Sequence, residues 1–337
     1  MNATAPASRR RVTMEDVARE AGVARGTVSR VLNGGSASPA SRSRVEAAIE
    51  KTGYRANIHA RSLASGRSSV YAAVLSEPYS ELFEDPTFGR MLHGISGELV
   101  GTEIALNLLF ATTAEERART LRQLSPGRVD GVILLSPHLD DPFLSQLSAD
   151  TPVVVCGDLP EQRANMWTAT VDDHHGGVLG AEHLVERGCR RVVIIAGPDQ
   201  VQGVRDRVAG QIQGLRDALL PDGIVHASYS TAGGASAMRT LLERHPDVDG
   251  VLCSSDRQAL GALSVLRESG RRIPEDIRVV GFDDHPMAAS ATPPLTTISQ
   301  PITEVGATSA RLLHSIVDGR PAASVVLPTR LVIRETT

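Results

Sequence analysis

Residues 12–34 read VTMEDVAREAGVARGTVSRVLNG, and their pattern indicates the structure of the N-terminal part of the chain. Thr13-Met14-Glu15-Asp16 has the pattern of a capping box, which predicts a helix that begins there and runs to about Glu20. Gly22 permits a tight turn, and residues 24–32 have the apolar spacing of a second helix. The residues predicted to face inward are Val17, Ala18, Ala21, Val23, Val28, Val31 and Leu32. The stretch therefore predicts a helix-turn-helix.

A third helix is predicted directly after it. Ser38 is a residue type that favours an N-cap, Pro39 suits the first helical position, and Gly53 suits the end of the helix. Its predicted inward face consists of Val45, Ala48 and Ile49. Three short helices of this kind predict a compact all-α headpiece.

The second predicted helix carries short or cationic side chains at its N-terminal end. They are Arg25, Gly26, Thr27, Ser29 and Arg30. Residues of these types can approach base edges and phosphates in the major groove of DNA. The alternative is a plain helical hairpin with a solvated polar face.

The charge of the chain is divided unevenly. Residues 1–69 contain twelve Lys or Arg against five Asp or Glu, a net of +7, whereas the remainder has 23 against 34, a net of −11. A basic segment attracts a polyanion and an acidic segment repels it. Nucleic acid is therefore expected to contact only the N-terminal part, and a merely solvated basic face is the alternative.

Three stretches carry a resemblance to a known family. Residues 12–34, residues 43–57 (SRVEAAIEKTGYRAN) and residues 60–68 (ARSLASGRS) resemble the DNA-binding headpiece and hinge of the LacI family of repressors. The resemblance implies a headpiece over residues 1–57, ordered from about residue 12, and a hinge helix and linker over residues 58–68. It also implies contacts with double-stranded operator DNA from Thr13, Arg25, Gly26, Thr27, Ser29, Arg30, Asn33, Tyr54, Asn57, Arg61 and Leu63.

Leu63 is expected to act as a wedge in the minor groove. By the resemblance it lies in the hinge helix, where paired leucines from two subunits can open a flexible pyrimidine–purine step and kink the duplex. A core position is the alternative for this leucine. Two departures from the family pattern concern local rigidity, because Ala24 replaces a common capping serine and Ala56 replaces a common proline.

From residue 69 onward, short apolar strands alternate with amphipathic helices, which is the pattern of a parallel sheet. The expected strands include residues 226–230 (HASYS), and residues 207–220 are expected to be helical. The series falls into two halves and predicts a two-lobed α/β domain with doubly wound parallel sheets over residues 69–337. The predicted N-lobe comprises residues 69–166 and 298–326, and the predicted C-lobe comprises residues 167–297 and 327–337.

This part of the chain resembles the periplasmic-binding-protein-like ligand domain of the same family. The most specific stretches are residues 183–198, 253–284 and 294–313. Ligands of such α/β folds gather at the carboxyl ends of the strands. The resemblance therefore implies that a small-molecule effector binds between the lobes.

Charged and aromatic residues near the ends of the predicted strands, together with Phe88 at the start of the first helix of this domain, are the candidates for effector binding. They are Phe88, Asp158, Arg207, Tyr229, Asp256 and Asp283. By the resemblance, Arg207, expected just upstream of a helix, and Asp283 correspond to the principal effector-contacting arginine and aspartate, and Tyr229 to an aromatic that stacks on a ligand ring. Asp256 can instead cap a helix, and Phe88 can instead be a core residue.

Other classes of function are disfavoured. There is no Walker loop, nucleophile elbow or strand-linked GxGxxG, which argues against an enzyme. The absence of a signal peptide and of a long apolar run argues against a transport-binding protein or a membrane partner. No cysteine or histidine spacing matches a metal site, so the cysteines are expected in the core and the histidines at surface or interlobe positions. The residues concerned are Cys156, Cys189, Cys253, His174, His175 and His183.

The sequence thus predicts a cytoplasmic transcriptional regulator, a repressor that binds a palindromic operator as a homodimer. A small-molecule effector is expected to control its affinity for DNA, and no cofactor or metal is expected. The family favours a sugar or a sugar derivative as the effector. A purine also fits a trio of arginine, aspartate and an aromatic ring.

Overall fold

The computed structural model describes residues 12–32, 35–54, 67–135, 137, 142–159 and 164–337. The chain divides into two compact units, Met1–Ser68 and Ser69–Thr337. Four of the predicted DNA contacts lie outside the described residues, and these are Asn33, Asn57, Arg61 and Leu63.

The described part of the first unit consists of three helices, α1 (Met14–Ala21), α2 (Arg25–Leu32) and α3 (Pro39–Thr52). The backbone N–H of Thr13 donates to Oδ2 of Asp16 at 2.9 Å, and the backbone N–H of Asp16 donates to Oγ1 of Thr13 at 3.4 Å. The predicted capping box is thus confirmed, with aspartate in the position that glutamate or glutamine usually occupies.

The predicted ends of the helices are also confirmed. Gly22, after α1, has a φ of 61°, and Gly53, after α3, has a φ of 64°, values that suit glycine. Pro39 is the first residue of α3, and the Ser38 hydroxyl accepts a hydrogen bond from the backbone N–H of Ser41 at 3.2 Å. The buried apolar residues of this unit are Val17, Ala18, Ala21, Val28, Val31, Val45, Ala48 and Tyr54.

The second unit contains two lobes, each built on a six-stranded sheet. The N-lobe sheet comprises β1 (Val70–Leu75), β2 (Ala105–Phe110), β3 (Gly131–Leu135), β4 (Val153–Cys156), β5 (Met166–Val171) and β11 (Val325–Leu327). Its strands are all parallel and lie in the order β11-β5-β4-β3-β1-β2. Its helices are α4 (Tyr79–Glu84), α5 (Pro86–Leu99), α6 (Ala114–Gln123), α7 (Pro142–Gln146) and α13 (Ile302–Val317).

The C-lobe sheet comprises β6 (Val192–Ala196), β7 (Leu219–His226), β8 (Gly250–Cys253), β9 (Arg278–Asp283), β10 (Thr296–Ser299) and β12 (Arg330–Val332). The order is β12-β10-β9-β8-β6-β7, and β12 is antiparallel to β10 whereas the other neighbours are parallel. The helices of this lobe are α8 (Asp173–Glu186), α9 (Gln202–Leu215), α10 (Thr231–Arg244), α11 (Asp256–Glu268) and α12 (Pro286–Ser290). The predicted fold class is therefore correct.

The chain passes between the two sheets at three points within residues 164–337, namely after β5, after β10 and after β11. The three crossings are neighbours. The backbone N–H of Asp172 donates to the carbonyl of Leu327 at 3.0 Å, and Ser299 pairs with Arg330 across two strands. The strands before the crossings end at Val171, Ser299 and Leu327, beyond the expected boundaries at 166, 297 and 326. The largest difference concerns β5, which was expected in the C-lobe but pairs with β4 in the N-lobe sheet.

Two predicted elements of the C-lobe are wrong. A strand was expected at residues 226–230, but the strand in this region is β7, which lies earlier in the chain and ends at His226. The helix expected over residues 207–220 ends at Leu215. A 3₁₀ turn (Arg216–Ala218) follows that helix and leads directly into β7. The strand contains a proline and a glycine, which normally indicate a turn, and its pairing with β6 is shifted within the strand.

The cysteines lie in the interiors of the lobes, as predicted. Cys156, Cys189 and Cys253 are buried and unpaired by disulfides, and burial raises the pKa of Cys189 to about 11, so its thiol stays protonated at neutral pH. Within the described ranges, no group of three or more metal-binding side chains is close enough to hold a metal ion. No helix of that part of the chain is long and apolar enough to span a membrane.

Candidate functional site

A cavity of about 260 Å³ lies between the two lobes of the second unit. Its walls include residues at or just after the carboxyl ends of β4, β5, β6 and β9, which is where open α/β sheets bind ligands. The sequence-predicted residues that line it are Phe88, Asp158, Arg207, Tyr229 and Asp283. Five of the six effector candidates are therefore brought together.

Arg207 is fixed by a buried ion pair with Asp173, the first residue of α8. Its Nη2 and Nε donate to Oδ1 of Asp173 at 2.6 and 3.0 Å, and its Nη1 donates to the carbonyl oxygen of Ser254. The guanidinium also lies over the ring of Phe282, 3.5 Å from the ring centre. These contacts on separate sides hold the guanidinium in one orientation.

The ion pair depends on the close approach of two helices. A Cβ atom at Gly177 of α8 would collide with the carbonyl of Arg207, and one at Gly210 of α9 would collide with the carbonyl of His174. Glycine is therefore required at both contacts, and it brings Asp173 and Arg207 within hydrogen-bonding distance. The sequence-based expectation that Arg207 lies just upstream of a helix is wrong, because α9 begins at Gln202.

Arg207 keeps its positive charge although its ion pair with Asp173 is buried. Burial raises the pKa of the Asp173 carboxyl, and the charge and hydrogen bonds of Arg207 oppose that rise. For Arg207, burial favours the neutral form, but the carboxylates of Asp173 and Asp283 outweigh it and hold the pKa of the guanidinium above its usual value. A charged donor group thus lines the cavity.

Asp283 is the last residue of β9 and has a φ of 113°, a conformation that L-residues rarely adopt. Its Oδ1 accepts a hydrogen bond from Nε2 of Gln300 at 2.6 Å. Burial raises the pKa of its carboxyl, while the nearby His285 and Arg207 oppose the rise. Strained backbone of this kind persists where the surroundings hold it in place, and it is concentrated at ligand sites.

The remaining cavity candidates take different positions. Phe88 lies in the first turn of α5, where it lines the cavity and also belongs to the N-lobe core. The two interpretations of this residue, effector contact and core residue, therefore do not exclude each other. Tyr229 lies in the loop after β7, and its ring fills the space beside Gly197. Asp158 follows β4, and its Oδ1 accepts a hydrogen bond from the N–H of Leu159 at 2.8 Å.

Asp256 is not brought to the cavity. Its side chain is fully buried, where Oδ1 accepts from the hydroxyl of Thr297 at 2.6 Å and Oδ2 accepts from the backbone N–H of His285 at 2.8 Å. The N-cap of α11 is its neighbour Ser255. Asp256 therefore joins β10 and the loop after β9 from inside the C-lobe, which is a structural role that the sequence did not indicate.

Sequence reasoning missed the polar contacts that bridge the lobes. Asp85, the N-cap of α5 in the N-lobe, lies 3.4 Å from Nη1 of Arg257 and 3.7 Å from Nε2 of His285, both in the C-lobe. The hydroxyl of Thr87 is 3.2 Å from the same Nε2 atom. Burial favours the neutral carboxyl, but the close approach of His285 and the hydrogen bond from the backbone N–H of Thr87 hold the pKa of Asp85 below its usual value.

Asp173 was also missed, although a signal for it was present. It follows β5, at the carboxyl end of a strand, where the other candidates were sought. The two histidines after it, His174 and His175, are exposed on α8. His183 is buried instead, and its Nε2 lies 2.8 Å from the hydroxyl of Thr337.

The described DNA-contact candidates in the first unit lie mostly on α2. Arg25, Gly26 and Arg30 are exposed, and Nε of Arg30 donates to the carbonyl of Gly26 at 3.3 Å. The Arg25 guanidinium lies 3.4 Å from Glu15, an exposed pair that contributes little stability. Thr27 and Ser29 are partly exposed on the same helix.

Two further candidates have structural contacts in the headpiece. Thr13 caps α1 through the capping box, and Tyr54, 9% exposed, belongs to the buried cluster of the three helices. The cationic and small side chains of α2 therefore form an exposed polar surface, while Thr13 and Tyr54 support the fold.

Comparison with known proteins defines the class. Residues 13–57 match the family described as bacterial regulatory proteins, lacI family, and residues 181–337 match the periplasmic binding protein-like domain. The chain is 40% identical to the HTH-type transcriptional regulator CelR of Thermobifida fusca, over 97% of this chain and 99% of that protein. It is 32% identical to the ribose operon repressor of Halalkalibacterium halodurans, over 96% of this chain and 97% of that protein.

Solved structures agree. A transcriptional regulator CelR–cellobiose complex is 37% identical, with a TM-score of 0.76 over 97% of this chain and 100% of that chain. The lac repressor dimer bound to operator and the anti-inducer ONPF is 29% identical, with a TM-score of 0.82 over 97% of this chain and 99% of that chain. A helix-turn-helix unit followed by a periplasmic-binding-protein-like effector domain defines a transcription regulator and not an enzyme. The chain belongs to the LacI family.

Proposed function

We propose that this protein is a cytoplasmic repressor that binds a palindromic operator as a homodimer, and that a sugar in the interlobe cavity controls its affinity for DNA. The observation that carries the proposal is the convergence of Arg207 and Asp283, from α9 and β9, on one cavity. The solved relative in complex with cellobiose supports a sugar, and the lac repressor dimer on its operator supports the mode of DNA binding.

The chemistry of the cavity suits a polyol. Sugar hydroxyls both donate and accept hydrogen bonds, and the walls offer a pure donor in Arg207, acceptors in Asp158 and Asp283, and an apolar surface in the rings of Phe88 and Tyr229. A few placed polar groups among apolar walls are typical of small-molecule sites.

The proposed DNA contacts come from α2 and from the segment that follows the three helices of the headpiece. Arg25 and Arg30 supply exposed cations, and the short side chains between them allow the helix to approach the floor of the major groove. The proposal assigns residues 58–68 as the hinge, with Asn57 and Arg61 at the DNA and Leu63 as the wedge in the minor groove.

Coupling between the two sites follows from linkage. An effector can change DNA affinity only by its own difference in affinity between two conformations of the protein. The bridging contacts of Asp85 with Arg257 and His285 cross the same cleft, so a ligand that alters the separation of the lobes changes them directly.

The test is operator binding in the presence of cellobiose. Operator DNA is selected from a random pool with the full-length protein, and binding is followed by fluorescence anisotropy. We expect cellobiose to change operator affinity by about 5- to 150-fold, downward for an inducer and upward for a co-repressor. No response to cellobiose or to other neutral sugars would reject a sugar effector.

A matched pair of variants locates the site. Arg207→Ala is expected to lose the response to cellobiose, whereas Arg205→Ala, which removes an exposed arginine from the same helix, is expected to keep it. Operator affinity without sugar should be unchanged in both, since the headpiece is a separate unit. An unchanged titration midpoint in folded Arg207→Ala would place the effector elsewhere.

A further inference from the structure

The charges around the cavity are strongly unbalanced. The acidic residues that line it are Glu77, Asp85, Asp158, Asp173 and Asp283. Among the described lining residues, Arg207 alone is basic. The charged groups that a ligand meets in the cavity are therefore mostly carboxyl groups, some of them paired.

The charge of Arg207 is already matched. Its guanidinium is bonded to Asp173 at 2.6 Å, with both side chains about nine-tenths or more buried, and a further N–H is taken by the carbonyl of Ser254. Just behind the cavity wall, Arg257 is paired in the same way, at 3.4 Å from both Glu84 and Asp85. An incoming anion would find no described cation at the cavity that lacks a carboxylate beside it.

We propose that the cavity accepts uncharged sugars and rejects their phosphorylated or carboxylated forms, and that Asp173 enforces this selection by matching the charge of Arg207. The inference rests on the proposed sugar effector and adds its charge class. An anionic group would give up its water shell and face Asp158 and Asp283, and this desolvation has no compensating ion pair. A neutral hydroxyl has no such cost, because it bonds to Arg207 and to a carboxylate alike.

The role of Asp173 as a charge can be separated from its role in positioning. Both hydrogen bonds from Arg207 go to the same atom, Oδ1 of Asp173. Asp173→Asn can keep that oxygen and both bonds while removing the negative charge. If Asp173 only holds Arg207 in place, this variant should treat neutral and anionic sugars as the parent does.

The experiment compares cellobiose with its 6-phosphate by isothermal titration calorimetry on the full-length protein. We expect the parent to bind the phosphorylated sugar at least about a hundredfold more weakly than cellobiose. In Asp173→Asn that ratio should fall by about tenfold or more. Asp217→Asn, which removes an exposed carboxylate from the same lobe, should keep the parent ratio.

Each outcome decides the proposal. Equal affinities in the parent would overturn it, and this comparison does not depend on how well any variant folds. A folded Asp173→Asn variant with an unchanged affinity ratio would show that Asp173 only positions Arg207. It would overturn the proposal that the charge of Asp173 enforces the selection. If neither sugar binds, the sugar effector is wrong, and inorganic phosphate becomes the probe. Tighter phosphate binding by Asp173→Asn than by Asp217→Asn then supports charge matching, and equal binding overturns it.

Discussion

The Nε2 atom of His285 lies 3.7 Å from Oδ1 of Asp85, so a buried imidazole of the C-lobe contacts a carboxylate of the N-lobe. The same nitrogen is 3.6 Å from Oδ2 of Asp283, which lines the cavity. One side chain thus joins the far lobe to the predicted effector site. The protonation state of the imidazole should therefore affect how strongly the two lobes are held together.

The pKa of His285 makes this contact sensitive to pH. Burial disfavours the charged imidazole, but the nearby carboxylates of Asp85, Asp283 and Asp256 outweigh it and raise the pKa of His285. Arg90, whose Nη1 is 3.4 Å from Nδ1, faces it from α5 as an opposing cation. A raised folded-state pKa contributes stability that is fully present below the unfolded value of about 6.5 and is lost as pH rises through the folded value.

His285→Gln is therefore expected to be less stable than the parent by an amount that depends on pH. The deficit should be largest below about pH 6.5 and should shrink as pH rises. Thermal or urea unfolding between pH 5.5 and 9 measures it. His174→Gln, which changes an exposed histidine, is the control, and a deficit of His285→Gln that is constant across this range would contradict the prediction.

Substitutions of Asp283 and of Asp256 are expected to have different effects, the first on ligand affinity and the second on stability. Asp283→Ala removes a cavity carboxylate, so cellobiose affinity should fall about tenfold to a hundredfold or more. Asp256→Ala leaves the Thr297 hydroxyl and the His285 N–H unsatisfied in the interior, so the free energy of unfolding should fall by about 1–3 kcal/mol for each group. Calorimetry and urea unfolding of both variants measure the two effects, and the reverse pattern would show that the assignments are exchanged.

Arg25→Ala tests the reading of DNA bases. An arginine at the N-terminal end of a recognition helix can form a bidentate contact with guanine, so its loss should cost about 1–3 kcal/mol of operator affinity and relax the preference at one base pair of each half-site. Site selection from a random pool compares the variant with the parent. Lys51→Ala, which removes an exposed cation of α3, should leave the base preferences unchanged. A parental profile for Arg25→Ala would argue against base contact.

Leu63→Ala tests the wedge. Because only the kinked, specific complex uses an inserted leucine, the variant should bind and bend the operator much more weakly, while nonspecific binding changes little. Gel mobility of circularly permuted operator fragments reports bending, and anisotropy on unrelated DNA reports nonspecific affinity. Equal losses on both DNAs would mean that Leu63 supports folding and not DNA distortion.

Local signals were sufficient for the headpiece. Thr13 with Asp16, Gly22, and Pro39 with Gly53 each specify a helix end through hydrogen bonds or φ values that neighbouring residues determine. These features do not depend on distant parts of the chain. They could therefore be predicted from sequence alone, and the structure places them as expected.

The misses concern distant contacts and one misleading local signal. Asp173 meets Arg207 only because two helices approach at Gly177 and Gly210, which no local pattern reveals. Asp256 accepts a hydrogen bond from Thr297 of β10, a contact that its neighbours in the sequence do not indicate. In β7 the local signal is misleading, because a proline and a glycine, which normally indicate a turn, lie within a strand.

The three adjacent crossings between the lobes constrain how the second unit can move. The backbone N–H of Asp172 donates to the carbonyl of Leu327, and Ser299 pairs with Arg330 of the strand that follows, so the crossings form an axis about which one lobe can rotate against the other. Sliding or twisting would break those bonds, whereas rotation about the line keeps them. Because displacement grows with distance from this axis, a small movement of the lobes at the cavity gives a larger movement at the parts of the lobes farthest from the crossings. Rotation about this axis is thus the relative motion of the lobes that the crossings favour.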